Sequence, residues 1–315
     1  MSAALSGLRV AVLVPCYNEE VAIPLVIRDF KAALPEATIY VYDNNSKDRT
    51  IEVARSAGAV VRSVSQQGKG NVVRRMFSDI EADVYVLVDG DATYHAASSP
   101  EMIRQLVEEE LDMVVGCRQD TEEAAYRRGH RFGNALLTGF VAHIFGRAFT
   151  DILSGYRVFS RRYVKSFPAL AKGFEIETEL TVHALQLRMP IAEQLTPYKS
   201  RPAGSVSKLS TYKDGFRILM TILKLFKSEK PLVFFSILFA ALALVSVVLA
   251  VPIILTYMET GLVPRFPTAI LSTGLMILAF LALACGLILD TVTLGRKEIK
   301  RLAYLAIPIT RLPRP

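Results

Sequence analysis

Cysteine is scarce in this 315-residue chain: Cys16, Cys117 and Cys285 are the complete set. They have no metal-ligand spacing and no need to pair, which excludes a zinc module and a disulfide scaffold and suits a reducing cytoplasm. The four histidines, His95, His130, His143 and His183, form no H-x-x-x-H or H-E-x-x-H pair, so a helix-borne zinc protease site is absent. The opening MSAALSGLRV has no apolar core ahead of a cleavage site and is not expected to act as a secretory signal. Internal repeats and low-complexity tracts are missing too. Charge itself is missing from residues 231–258 and again from 267–289. Both runs exceed the roughly 20 residues that cross a bilayer. Two transmembrane helices are therefore expected, at 231–257 and 267–290.

Lys213, Arg217, Lys224, Lys227 and Lys230 precede the first run, and Arg296, Lys297, Lys300 and Arg301 follow the second. The connecting METGLVPRF carries only Arg265. The excess of Lys and Arg on one side predicts a hairpin with both chain ends in the cytoplasm. The formal charge of +7 is largely this flanking set, which argues for an anionic lipid surface and against nucleic acid. Residues 211–230 combine Phe216, Ile218, Leu219, Ile222, Leu223, Leu225 and Phe226 with mostly basic charges, the pattern of an amphipathic interface helix. Residues 291–315 read as a basic cytoplasmic tail, in which 296–307 is a second candidate for such a helix.

Residues 1–210 have the composition of a soluble domain. Strand-length apolar runs at Val10–Val14, Ile39–Tyr42, Val60–Val64, Tyr85–Val88 and Met113–Val115 alternate with helical patterns at Glu19–Ala33, Arg49–Ala57, Val72–Ile80 and Pro100–Glu110. A further helix is expected over 127–146 and a strand over 154–160. This βαβ alternation predicts an α/β domain with a mostly parallel, Rossmann-like sheet. Ligands of such sheets sit at the carboxyl ends of the strands. PCYNEE, DNNSKDRT and DGD all fall there.

Asp89-Gly90-Asp91 ends an apolar strand with two carboxylates one residue apart. Taken alone, the pair reads as a solvated turn or as a clamp for Mg²⁺ or Mn²⁺, ions that take one or two carboxylates together with substrate phosphates. Asn18 and Glu19 either start a helix or line a nucleotide cradle. Asp43 can accept hydrogen bonds from a base or ribose, while Asn44, Asn45 and Ser46 are equally good turn residues. QQGKGN (66–71) is a Gly-rich turn with one lysine, suited to phosphate but lacking the P-loop spacing.

In this order and spacing, VPCYNEE, DNNSKDRT, GKGN and VDGD resemble the family-2 glycosyltransferases with a GT-A fold. DILSGYRVFSRR (151–162), GFEIETEL (173–180), RPAGSVSKL (201–209) and the membrane tail are similar to the polyprenyl-phosphate branch, which includes dolichol-phosphate mannose synthase. The resemblance implies that Pro15, Tyr17, Glu19, Asp43 and Lys69 hold the donor nucleotide. It implies that Asp89 and Asp91 bind Mg²⁺ or Mn²⁺ and the donor diphosphate, with Thr93 where many relatives place a glutamine ligand. Asp151 would lie beside the anomeric carbon or acceptor, with Ser154 and Glu177 near it. Arg118, Arg128, Arg201 and Lys208 would meet phosphates. RPAGSVSK carries one residue more than the relatives' R-x-x-G-x-S-K, and Asp43-Asn44-Asn45-Ser46 replaces their D-D-G-S, which leaves the base contact open.

The implied activity is inverting transfer of a sugar from a nucleotide-diphosphate sugar, with a UDP-sugar favoured, to undecaprenyl or dolichyl phosphate. A GDP-mannose donor is the alternative. The implied setting is the cytoplasmic membrane, or the endoplasmic reticulum of a eukaryote, in a cell-envelope glycosylation role. Relatives also associate through their membrane parts, which makes a homo-oligomer an option. A processive polysaccharide synthase would carry Q-x-x-R-W, and this chain has no tryptophan. A nucleotidyltransferase would leave SGYR and the hairpin unexplained. A catalytically dead membrane scaffold is opposed by the intact Asp89, Asp91 and Asp151.

Overall fold

The computed structural model describes residues 7–120, 138–142, 149–173, 175–202 and 211–309. It divides into two units, residues 1–218 with 300–315, and residues 219–299.

The first unit is built on a seven-stranded sheet: β1 (Val10–Cys16), β2 (Thr38–Asp43), β3 (Val60–Ser63), β4 (Val84–Leu87), β5 (Met113–Asp120), β6 (Arg157–Ser160) and β7 (Ile191–Tyr198). Their spatial order is β3-β2-β1-β4-β6-β5-β7. Only β6 runs against its neighbours, so the sheet is mostly parallel, as the alternation predicts. The chain steps outward from β1 through β2 to β3, then returns to β4 on the other side of β1. That reversal opens a crevice at the carboxyl ends of β1 and β4, the usual ligand position of an open α/β sheet. Because β6 is reversed, its amino end reaches the same edge, and with it the preceding residues 151–156. Seven strands thus converge on one rim.

The helices follow from apolar spacing. In α1 (Ile23–Ala33), Pro24 suits the first turn, and Ile23, Val26, Ile27 and Phe30 form one buried stripe. α2 (Thr50–Ser56) and α3 (Lys69–Asp79) follow β2 and β3. In α4 (Ser99–Glu108), Met102, Ile103, Leu106 and Val107 face the sheet at the same three-four spacing. α1 and α4 cover one side of β1 and β4 in a shared core. Every residue of β4 is buried, as for a central strand covered on both faces. Each such Val or Leu stabilises the fold by about 1.5–3 kcal/mol relative to exposure. α5 (Arg161–Ser166) is capped by the Ser160 side chain accepting from the Tyr163 amide. Phe77, Phe159, Tyr163 and Phe167 stack around it, and α6 (Ile176–Leu187) completes that side. Neither α6 nor β7 is among the expected elements. Of the helix expected over 127–146, residues 138–142 are helical and the rest lies outside the described residues.

The C-terminal segment from Lys300 belongs to this unit. Tyr304 donates its hydroxyl to the fully buried Asp112 at 2.7 Å, and Arg162 binds the same carboxylate while lying 4.8 Å over the Tyr304 ring.

α7 (Thr211–Glu229) spans the unit boundary. α8 (Pro231–Thr260) and α9 (Phe266–Leu305) are long and apolar enough to cross a membrane. Only 11% and 17% of their most apolar stretches are buried, unlike core helices of a soluble domain. Ser246 donates to the Ser272 carbonyl at 2.7 Å, and a Cβ at Gly286 would lie 2.9 Å from that of Phe235, so the two pack closely. α9 continues as helix well past Asp290 to Leu305.

Candidate active site

The loops after β1 and β2 are latched together. The Asn18 amide donates to Ser46 Oγ at 2.8 Å, the Lys47 amide to Asn18 Oδ1 at 2.7 Å, and the Glu19 amide to Thr50 Oγ1 at 2.8 Å. Pro15 and Tyr17 are half-buried beside this latch. Asn44 braces the next loop, with its amide donating to the carbonyls of Val64 and Gln66 and its oxygen accepting from the Gly68 amide. Asp43 Oδ2 accepts from the Ser46 amide at 3.1 Å. Its Oδ1 is buried and, among the described residues, has no hydrogen-bond partner. An acceptor so enclosed is costly unless a ligand satisfies it.

The register of β1 with β4 carries on beyond Leu13–Leu87 to set Gly90 beside Cys16. A Cβ on Gly90 would lie 2.6 Å from Cys16 Sγ, so any side chain there would have to displace the buried Cys16 thiol. Ala92 follows with φ +59°, a left-handed conformation that non-glycine residues rarely adopt. This turn aims Asp89 and Asp91 at the rim. Thr93 donates to Asp91 Oδ1 through its hydroxyl at 2.6 Å and its amide at 3.2 Å. Thr93 thereby fixes Asp91. Burial pushes the Asp91 carboxyl up, the nearby Asp89 adds to this, and Arg201 and Thr93 oppose it.

Arg201 reaches Asp91 Oδ2 at 2.7 Å and Glu19 Oε1 at 3.5 Å. Its placement follows from the end of β7. The Lys199 amide donates to the Thr93 carbonyl at 2.9 Å, and the rings of Tyr94 and Tyr198 meet edge-on at 5.3 Å. Lys69 lies between Asp89, at 2.5 Å, and Glu177. Burial works against its ammonium, but the two carboxylates outweigh that and the net direction is up. Burial pushes Glu177 up, partly countered by Lys69.

Asp151 receives Arg118 through two guanidinium bonds, each 2.8 Å, the bidentate geometry that orients a carboxylate. The Arg118 guanidinium also lies 5.6 Å from the centre of the Tyr198 ring. Glu193 accepts from the Thr150 and Asp151 amides at 2.6 and 3.3 Å. Ser154 donates its hydroxyl to the Gly116 carbonyl at 2.6 Å, a loop-fixing role. The fully buried Arg157 holds the same loop, donating to the carbonyls of Ile152 and Ser154 and to Thr181 Oγ1. Burial lowers its pKa from the ordinary arginine value.

Lys69 with Asp89 and Glu177, and Arg201 with Asp91 and Glu19, thus form two ion-paired sets, and Asp151 and Arg118 line the same rim with the fully buried Ser154 beneath them. Arg128 and Lys208 lie outside the described residues. Tyr94, Tyr198, Glu193, Gly155 and Arg157 carry the site without standing among the expected site residues. SGYR itself contained the signal for two of them: a glycine and an arginine leading into a buried strand. Among the described residues no cluster of three or more His, Cys, Asp or Glu side chains forms a metal cage. Asp89 and Asp91 nevertheless fit a hard divalent cation. They supply carboxylate oxygens from one tight turn, and a diphosphate and water would complete the shell.

Residues 11–167 match the model of glycosyl transferase family 2. Glycosyltransferase AglJ of Haloferax volcanii is 37% identical over 72% of this chain and 75% of its own length. The dolichyl-phosphate hexose transferase of the same organism is 29% identical over 70% of this chain and 95% of its own. Among solved structures, glucosyl-3-phosphoglycerate synthase of Mycobacterium tuberculosis, in complex with Mn²⁺, UDP-glucose and phosphoglyceric acid, aligns with a TM-score of 0.56 at 23% identity. It covers 70% of this chain and 81% of that one. The strand order, the converging rim and these likenesses agree: the chain is a GT-A-fold glycosyltransferase and belongs to glycosyl transferase family 2.

Proposed function

We propose that this protein transfers one sugar from a nucleotide-diphosphate sugar to a polyprenyl phosphate at a membrane surface, with inversion at the anomeric carbon. The observation that carries this reading is the rim itself: Asp89 and Asp91 on one turn, flanked by Arg201 and Arg118. A dianionic acceptor phosphate and a departing diphosphate need both carboxylates for a cation and basic side chains for the phosphates. The likeness to a dolichyl-phosphate hexose transferase and the two candidate spans support a lipid acceptor.

Asp43 would accept from the base of the donor through its unpartnered Oδ1, with Pro15, Tyr17 and Glu19 enclosing the nucleoside. A uracil imide N–H suits that acceptor, and a UDP-sugar is the donor we assign. Asp89 and Asp91 would hold Mg²⁺ or Mn²⁺, which, when bound, neutralises charge developing on the leaving diphosphate. Arg201 and Arg118, with Arg128 and Lys208, would hold the phosphates. The acceptor needs little activation. A phosphate monoester with a second pKa of about 6 is largely dianionic at neutral pH and is already a nucleophile. Asp151, with both oxygens engaged by Arg118, suits electrostatic stabilisation of an oxocarbenium-like centre better than proton abstraction. The basic residues of 211–230 and 296–301 would keep the domain at a cytoplasmic headgroup surface.

The test uses membranes containing the protein, polyprenyl phosphate and a panel of radiolabelled sugar nucleotides, with and without Mn²⁺ or Mg²⁺. The expected product is chloroform-soluble and labile to mild acid. Metal-dependent label that stays water-soluble with every donor would refute the lipid acceptor.

A further inference from the structure

Two ion-pair sets face each other across Gly90. In one, Lys69 lies between Asp89 and Glu177. In the other, Arg201 lies between Asp91 and Glu19. With the carboxylates ionised, each set carries one net negative charge, and together they match the charge of one divalent cation. The sets differ in a way that matters. Arg201 is tied to Asp91, whose other oxygen is taken by Thr93. Lys69 is shared between a carboxylate at the rim and one in the interior: the Asp89 side chain is 30% exposed, that of Glu177 only 7%.

Two features point to an exchange. Glu177 uses Oε1 for Lys69, while its Oε2 is buried with no hydrogen-bond partner among the described residues. An ammonium has three donors, so Glu177 has spare capacity for the bond that Lys69 gives to Asp89. The backbone beneath Lys69, by contrast, is fixed. Cβ atoms on Gly68 and Gly70 would lie 2.2 and 2.3 Å from the carbonyl oxygens of Lys172 and Ala171, and Gly68 has φ +126°. Any movement is left to the flexible four-carbon side chain.

We propose that Lys69 and the divalent cation compete for Asp89, and that Glu177 draws the lysine back when the metal and donor diphosphate bind. Glu177 is then a positioning residue that acts through Lys69. The inference rests on the metal–diphosphate reading of Asp89 and Asp91. No bond is made or broken; one ion pair is exchanged for another.

The experiment measures Mn²⁺ binding to the full-length protein in detergent with UDP present, by the electron paramagnetic resonance signal of free Mn²⁺, without turnover. Lys69→Met removes the competitor and is expected to lower the half-saturating Mn²⁺ concentration roughly three- to tenfold, the span of one modest ion pair. Glu177→Gln leaves Lys69 on Asp89 and is expected to raise it by a similar factor. Glu177→Asp, which keeps the charge, is expected to restore most of the wild-type value. In the Lys69→Met background, Glu177→Gln should have no further effect. Weaker Mn²⁺ binding by Lys69→Met, or a Glu177→Gln effect that persists without Lys69, would overturn the proposal. If Lys69→Met does not fold, the opposed behaviour of Glu177→Gln and Glu177→Asp decides it, and equal weakening by both would overturn it. Asp91→Asn separates the two levels. Unchanged Mn²⁺·UDP binding in that variant refutes the metal site itself. Loss there, without tightening in Lys69→Met, refutes only the exchange.

Discussion

Gly155 has no room for a side chain, because a Cβ there would lie 2.4 Å from Asp89 Oδ2. Its amide is also held by the Tyr94 hydroxyl at 2.9 Å, so the backbone cannot retreat. Gly155→Ala is therefore expected to push Asp89 off the rim, lowering kcat/KM by about 10²-fold, in line with misplacing a reacting group by an ångström. Steady-state kinetics with a thermal melt checks this; near-normal kinetics in a folded Gly155→Ala protein would contradict the placement of Asp89. A second residue governs pH stability. Burial, with Lys300 nearby, pushes the buried His183 imidazole down to about 3, against about 6.5 in an unfolded chain. Its contribution is fully present above pH 6.5 and is lost as pH falls toward 3, with a limiting slope of about 1.4 kcal/mol per pH unit. His183→Phe should melt with a shallower loss between pH 7 and pH 5. An unchanged slope would contradict the assignment.

At the scale of elements, the reversed strand β6 decides the site. It turns residues 151–156 toward the rim, and Arg157 locks them from inside. Arg157→Leu is expected to cost about 2–4 kcal/mol, because the carbonyls of Ile152 and Ser154 lose their donor in a buried setting. Denaturant unfolding measures it, and transfer activity should fall with the loop's order. The parallel half of the sheet was legible in the sequence because each strand there is an apolar run ended by a polar cluster. β7 was not legible. IAEQLTPY interleaves Glu193 and Gln194 with apolar residues, and Leu195 is exposed, so it shows neither a buried run nor a clean alternation. α6 was hidden because it is buried almost all round, polar Glu177, Thr178, Thr181 and His183 included, so it shows no one-sided apolar stripe. Asp89 and Asp91 stood out because two carboxylates one residue apart are unusual at the end of an apolar strand, whereas Asp151 was singled out only by the resemblance of the DILSGYR segment. The pairing of Lys69 with Glu177 could not be read, since 108 residues separate them and only the fold of α6 brings them together.

At the scale of the whole molecule, the proposed hairpin, with both chain ends in the cytoplasm, puts the loop 261–265 on the outer side of the membrane. A cysteine introduced by Leu262→Cys should react with a membrane-impermeant maleimide on intact cells, above a background measured on the parent protein, in which Cys16 and Cys117 are buried and Cys285 lies within the second apolar helix. Labelling only after lysis would reverse the orientation. The central claim, metal-dependent glycosyl transfer to a lipid phosphate at Asp89 and Asp91, is tested most directly by the mass of the lipid. Polyprenyl phosphate is incubated with the wild-type protein or Asp91→Asn, Mn²⁺ and each common sugar nucleotide. The prediction is an acceptor heavier by one glycosyl unit with one donor, reduced at least about 10²-fold in Asp91→Asn. Unmodified lipid with every donor, or equal product from Asp91→Asn, would contradict it.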